Sequence, residues 1–264
     1  MSYLKAREFL THRPGSEINL VHKPERWFFT GYPNLIAMDR EHEEITKILQ
    51  NEGVRIHTFL TSMTTKPKLY ITRDNAIVID KKAITCHFIT GIRRGEEQIV
   101  KKVLKELGIG ILGHTFPPGF LHGSDLFFTD KKHAFAIIGP RTNEEGVKHL
   151  VDLMKIDVTP IKMDNLSSLQ FNIINDIAVI SEEVVHEPVY KVFKENELDI
   201  ILASKKDTDE MGLNFLQIND NKIVNVKSDI NRKLKMIGFD VIEVEIRELM
   251  KGETGIRNMF LPFY

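Results

Sequence analysis

A single cysteine and ten histidines are the side chains of this sequence best suited to nucleophilic, acid–base or metal chemistry, and their spacing narrows that chemistry. Cys86 ends an apolar run, residues 76–86 (AIVIDKKAITC), where a thiol packs as a small hydrophobe. No histidines stand in an HxH or HExxH pattern, so the sequence calls for no metal. His122 and Asp125 are three residues apart, a weak metal pair at that spacing. They could instead serve as base and carboxylate in a hydrolytic site. The plainer reading is a hydrogen-bonded pocket histidine, followed by an aspartate that satisfies backbone donors before a strand. A GxGxxG spacing, Gly108-Ile109-Gly110 to Gly113, follows a helical segment and leads into a strand. The dinucleotide fingerprint needs the reverse order, so no nucleotide cofactor is expected.

Composition narrows the partners. The 264 residues carry 36 basic and 37 acidic side chains, a net charge of −1, which gives no electrostatic reason to expect nucleic acid. One cysteine allows no intramolecular disulfide, which fits a reducing cytoplasm. Residues 1–10 lack an apolar signal core, and no run approaches the roughly 18 apolar residues of a membrane span. A soluble, cytoplasmic protein is expected, with a homo-oligomer compatible.

The elements that would position these residues recur along the chain. Residues 76–86, 126–138, 172–180 and 215–226 each place β-branched or aromatic residues on both sides of an Asp, Asn or Lys turn, which is hairpin chemistry. Each is followed by apolar residues at helical spacing, in 94–107, 143–154, 187–196 and 228–237. Three of these helices lead into short apolar strands at 109–112, 157–161 and 241–244. A fifth copy is read as a strand at 35–38, a helix at 41–51 and a strand at 54–59. Such units cannot bury their apolar faces singly, and a circular arrangement would bury them together. An α/β propeller of five blades is expected ahead of a doubly wound sheet, as one domain spanning 1–264.

Several motifs resemble the guanidine-modifying, or pentein, superfamily of arginine deiminases, amidinotransferases and dimethylarginine hydrolases. His12-Arg13-Pro14-Gly15-Ser16-Glu17 resembles the HRPGxE opening of the deiminases, and Glu41-His42 with Gly53-Val54 their next segment. Thr72-Arg73-Asp74 and Arg93-Arg94-Gly95-Glu96-Glu97 are similar to TRD…RRxE. Gly139-Pro140-Arg141-Thr142-Asn143 is similar to GxRTN of the dimethylarginine hydrolases, and residues 252–262 (GETGIRNMFLP) resemble the closing GxGGxRCMxxP. The resemblance spans almost the whole chain and implies the five-bladed fold.

It also implies a chemistry, attack by a cysteine thiolate on a guanidinium carbon with a His–Glu pair moving protons. The position of that cysteine holds Asn258. The EGGD motif that supplies the glutamate corresponds to His122-Gly123-Ser124-Asp125, and the histidine's strand to Leu166-Ser167-Ser168-Leu169-Gln170. A non-catalytic protein that binds an arginine-like or other small amino-acid ligand is therefore expected. An unusual guanidino or ureido hydrolase using His122 and Asp125, and a protein-interaction module, are the rivals. The resemblance implies ligand contacts at Asp74, which matches a guanidinium-holding carboxylate, and at Arg94 (or Arg93), Arg141 and Arg257, near basic positions that hold a substrate carboxylate. Each also has a structural reading as an ion pair. Asn258 is read as a packed polar residue or a ligand contact. Trp27 and Phe28 are read as core, and the loop of His114 and Pro117-Pro118-Gly119 as a cover for the pocket.

Overall fold

The computed structural model describes residues 5–61, 64–162 and 168–264. Four units repeat one pattern: an antiparallel hairpin, a helix, and a strand parallel to the second hairpin strand. The first comprises β3 (Ala76–Ile79), β4 (Lys82–Thr85), α2 (Glu96–Glu106) and β5 (Gly110–His114), after β1 (Glu8–His12), α1 (Leu35–Asn51) and β2 (Arg55–Phe59). Next come β6 (Leu126–Phe128), β7 (His133–Ile138), α3 (Glu144–Met154) and β8 (Asp157–Lys162). Then follow β9 (Phe171–Ile174), β10 (Ile177–Ser181), α4 (Glu187–Glu195) and β11 (Asp199–Ala203), with the short α5 (Lys205–Asp209). The last hairpin unit is β12 (Leu216–Gln217), β13 (Lys222–Val226), α6 (Ile230–Met236) and β14 (Asp240–Val244), and the chain then runs through α7 (Ile256–Met259) to β15 (Leu261–Pro262).

The remaining sheet is assembled from both ends of this sequence. β15 lies antiparallel to β1, pairing Phe9 with Pro262, and β1 runs parallel to β2. This corrects the expected fifth copy. Residues 35–38 are the first turn of α1, not a strand, because the Asn34 side chain accepts a hydrogen bond from the Ala37 amide and caps the helix there. A further strand, β11, follows α4, where only three post-helical strands were expected.

Alternation along the strands explains why five sheets close into a ring. Side chains at successive positions point to opposite faces, and the hairpin strands are buried on both faces while the parallel edge strands are partly exposed. Ala76 and Val78 of β3 pack with Leu10 and Leu261, whereas Ile77 and Ile79 pack with Leu126 and Phe128. Phe127 joins Phe171 and Ile180, while Ile174 and Val179 join Phe215 and Ile223. Leu216 and Val224 then meet Phe9. One apolar core therefore lies between each neighbouring pair of sheets, and the fold is a five-bladed α/β propeller. Among the described residues, no helix is long and apolar enough to cross a membrane.

Candidate functional site

Asp74 and His122 come from adjacent blades and meet because the chain segments before β3 and β6 are both tight 3-10 turns, Thr72–Asn75 and Gly123–Asp125. The approach depends on Gly123. A methyl group there would run into the Arg73 carbonyl oxygen and lie 2.7 Å from that of Ala76. Glycine thus lets one backbone lie on the other, and the ring of His122 comes to rest with Nδ1 3.5 Å from Asp74 Oδ2.

Asp74 is buried and ion-paired to Arg93, which also donates to Glu96 through Nε at 3.0 Å and Nη2 at 2.7 Å. Burial alone would raise the Asp74 carboxyl, but the Arg93 charge and the His122 contact outweigh it and hold it well below the usual carboxylate range. Burial lowers the His122 pKa despite the attraction of Asp74, so the ring is a neutral imidazole at pH 7. Asp74 Oδ1 and both His122 ring nitrogens are buried without a hydrogen-bond partner among the described residues. Buried polar atoms are nearly always satisfied, and three orphans in one place mark a position for a polar ligand.

A second group adjoins this one. Asp125 is ion-paired to Arg141 and accepts from the Thr142 hydroxyl at 2.8 Å. Arg141 also donates to the Ser168 hydroxyl at 3.0 Å, and at 29% side-chain exposure it carries the cluster out to solvent. Ser168 in turn donates to Ser124 at 3.2 Å and accepts from Asn258 Nδ2 at 3.3 Å. Asn214 ties these together, donating to the Ser168 carbonyl at 3.0 Å and to Asn258 Oδ1 at 3.1 Å.

The sequence candidates therefore separate. Asp74, His122, Asp125, Arg141 and Asn258 gather at the propeller's centre, but His122 faces Asp74 rather than Asp125. The 3-10 turn that begins at Gly123 sends the two side chains different ways. Arg94 lies aside, bonding the carbonyls of Phe88 and Ile89 at 3.0 and 3.1 Å. Its neighbour Arg93 is the residue that reaches Asp74. Arg257 is buried against Phe127 and donates to the carbonyls of Ser124 and Leu126 at 2.8 and 2.9 Å. Ser168 and Asn214 were missed as network members. Residues 166 and 167 lie outside the described residues. Trp27 packs partly buried against the core, whereas the Phe28 ring is half exposed.

Cys86 borders the same centre. It is fully buried, with the Gly123 amide directed at its sulfur, and burial followed by the charge of Asp74 pushes the thiol well above its ordinary pKa. It is therefore protonated. Among the described residues, no three His, Cys, Asp or Glu side chains are grouped to hold a metal ion.

A family model described as "N,N dimethylarginine dimethylhydrolase, eukaryotic" matches residues 34–264. An uncharacterized protein of Aeropyrum pernix is 28% identical over 208 residues, covering 75% of this chain and 74% of its own length. The Bacillus subtilis protein YkgA is 22% identical over 250 residues, covering 92% and 86%. Among solved structures, a mutant dimethylarginine dimethylaminohydrolase of Pseudomonas aeruginosa complexed with citrulline superposes with a TM-score of 0.82 at 16% identity, over 98% of this chain and 100% of that one. The N-terminal domain of ArgZ, a cyanobacterial arginine dihydrolase bound to product, gives 0.84 at 16% identity over 97% of each. These similarities overturn the expectation of a non-catalytic binder. The matching family is described by a hydrolytic activity, its solved neighbours are named for enzymes, and Asn258 at one motif position does not establish that a nucleophile is lacking. The chain belongs to the family described as N,N dimethylarginine dimethylhydrolase, eukaryotic.

Proposed function

We propose that residues 1–264 act as one domain that hydrolyses a C–N bond in the guanidino group of an arginine-like compound. The observation that carries this reading is the set of orphaned acceptors at Asp74 and His122. A guanidinium is a planar cation rich in N–H donors, and Asp74, held ionised, offers it a free carboxylate oxygen. The neutral His122 ring, close by, is suited to take a proton from water as it attacks the guanidino carbon. The C–N bond to the departing amine then breaks as the proton held by His122 passes to that nitrogen, leaving a ureido product. Water is the attacking group that fits, because the buried Cys86 thiol stays protonated.

Arg141, partly exposed beside Asp125, is suited to a substrate α-carboxylate through its planar fork. That places free amino acids ahead of decarboxylated analogues. Solved relatives complexed with citrulline or L-arginine support the ligand class. The test is incubation of the purified chain with dimethylarginine, arginine and agmatine in turn, following ureido product and released amine. Product from dimethylarginine or arginine is expected. A folded protein that releases nothing from any of the three would defeat the proposal.

A further inference from the structure

A cavity of about 60 Å³, separate from the site above, is lined by Arg73, Arg257, Lys5 and Tyr264, together with three amide side chains and apolar residues. None of Asp74, His122, Asp125, Ser168 or Asn258 lines it. Arg73 and Asp74 are neighbours in one turn, and Arg257 and Asn258 in another, so each pair divides its side chains between the two places.

The charge in this cavity is unbalanced. Arg73 and Arg257 are 5% and 3% exposed, and among the described residues neither forms an ion pair. Arg73 donates to the Tyr264 hydroxyl at 3.1 Å, and its Nε is buried without a partner. Arg257 has the two backbone carbonyls, a long contact from Nη1 to Asn258 Oδ1 at 3.5 Å and the face of Phe127, 4.1 Å from its guanidinium carbon, but no carboxylate partner among the described residues. Lys5 adds a third cation at the rim, where it also meets the exposed Asp220. No Asp or Glu lines the cavity. Arginine keeps its proton in proteins, and a buried charge without a counter-charge is strongly disfavoured. Burial, and next the charge of Arg73, depress the proton affinity of Arg257, and the opposing charges of Asp125 and Asp74 do not outweigh them.

We propose that this cavity binds a small oxyanion of the phosphate or sulfate class. Such an ion would accept from the free Arg73 Nε and from the hydroxyl of Tyr264, and it would offset both guanidinium charges in the geometry that arginine forks favour. The small volume suits a compact ion.

The experiment is thermal unfolding of the full chain in phosphate-free buffer, titrated with inorganic phosphate while NaCl holds ionic strength constant. Phosphate stabilises proteins non-specifically through exclusion, so saturation is the criterion. A saturable rise is expected, about 5–10 °C at one hundred times Kd. A parallel sulfate titration distinguishes a general oxyanion site, where it matches phosphate, from one selective for phosphate, where it does not. Lys5→Ala is expected to weaken the apparent affinity several-fold, and Arg73→Gln to remove the saturable component. Arg141→Ala, in the other site, is expected to retain it. No saturable component for either ion, or one that Arg141→Ala abolishes and both cavity variants keep, would overturn the proposal.

Discussion

His122 Nδ1 stands 3.5 Å from Asp74 Oδ2, longer than a formed hydrogen bond, in a place sealed from bulk water. A base held near its orienting carboxylate but not yet bonded to it is a common arrangement before substrate binds. Replacing His122 by Ala is expected to lower kcat/KM for the guanidino substrate by about 100-fold or more, with little change in melting temperature. Because burial lowers this histidine's pKa from 6.5, the catalytically competent neutral form persists through neutral pH. Activity is expected to be flat through neutral and alkaline pH and to fall only on acidification. A pH–rate profile that falls steeply between pH 8 and 7 would contradict this assignment.

Arg141→Ala separates substrate recognition from chemistry. Charge-assisted hydrogen bonds contribute about 1.5–3 kcal/mol, so KM for an α-amino-acid substrate is expected to rise about 10- to 100-fold. Agmatine, lacking the carboxylate, should show a much smaller change. Equal losses for both compounds would mean that Arg141 serves only Asp125 and Ser168.

Cys86→Ala is expected to leave turnover within a few-fold of the parent, since the buried thiol takes no part in the proposed reaction. The native protein should also resist thiol reagents until unfolded, which a colorimetric thiol assay in the presence and absence of urea would show.

Gly123→Ala tests the contact between blades. The added methyl meets backbone oxygen on both Arg73 and Ala76, and neither can swing aside as a flexible side chain could. A loss of at least about 3 kcal/mol is expected from such overpacking, measured as a lower urea midpoint. Turnover should fall as well, because the same contact positions His122.

His12 and His42 make stability sensitive to acid. Burial, followed by neighbouring positive charge, lowers them from 6.5 to about 3 and about 4, respectively. Both are neutral well above pH 6.5 in folded and unfolded chains alike, so they contribute no slope at alkaline pH. Below 6.5 the unfolded chain takes up protons that the folded chain refuses, and stability falls toward the folded values. The loss is on the order of 3 kcal/mol for each by pH 4. His42→Gln, which can still bond Thr11, is expected to flatten urea midpoints between pH 6.5 and 4.

Local signals made four of the five blades legible. Asp80 and Lys81 at φ 49° and 59°, and Asn175 at φ 52°, adopt the left-handed conformations for which hairpin turns select such residues. The remaining blade was obscured because its sheet joins β1 to a two-residue strand at the other end of the sequence, a pairing with no local signature. Leu35 to Met38 looked like a strand because a short apolar run does not reveal its period. In the site, residue types were legible but partners were not. The spacing of His122 and Asp125 suggested a pair, whereas the 3-10 turn divides them and the true neighbour, Asp74, lies in another blade. Ser168 was legible only as part of the stretch matching the family's histidine strand and Asn214 gave no signal, since small polar residues gain meaning only from what surrounds them.

The pairing of Phe9 with Pro262 makes the ring a closed belt whose buckle is the last strand. The belt is tight only when that buckle engages, and closing it joins the two ends of the sequence, a long-range pairing of the slow kind. Phe9 and Pro262 both line the arginine-lined cavity, so that cavity takes its final shape only when the buckle engages.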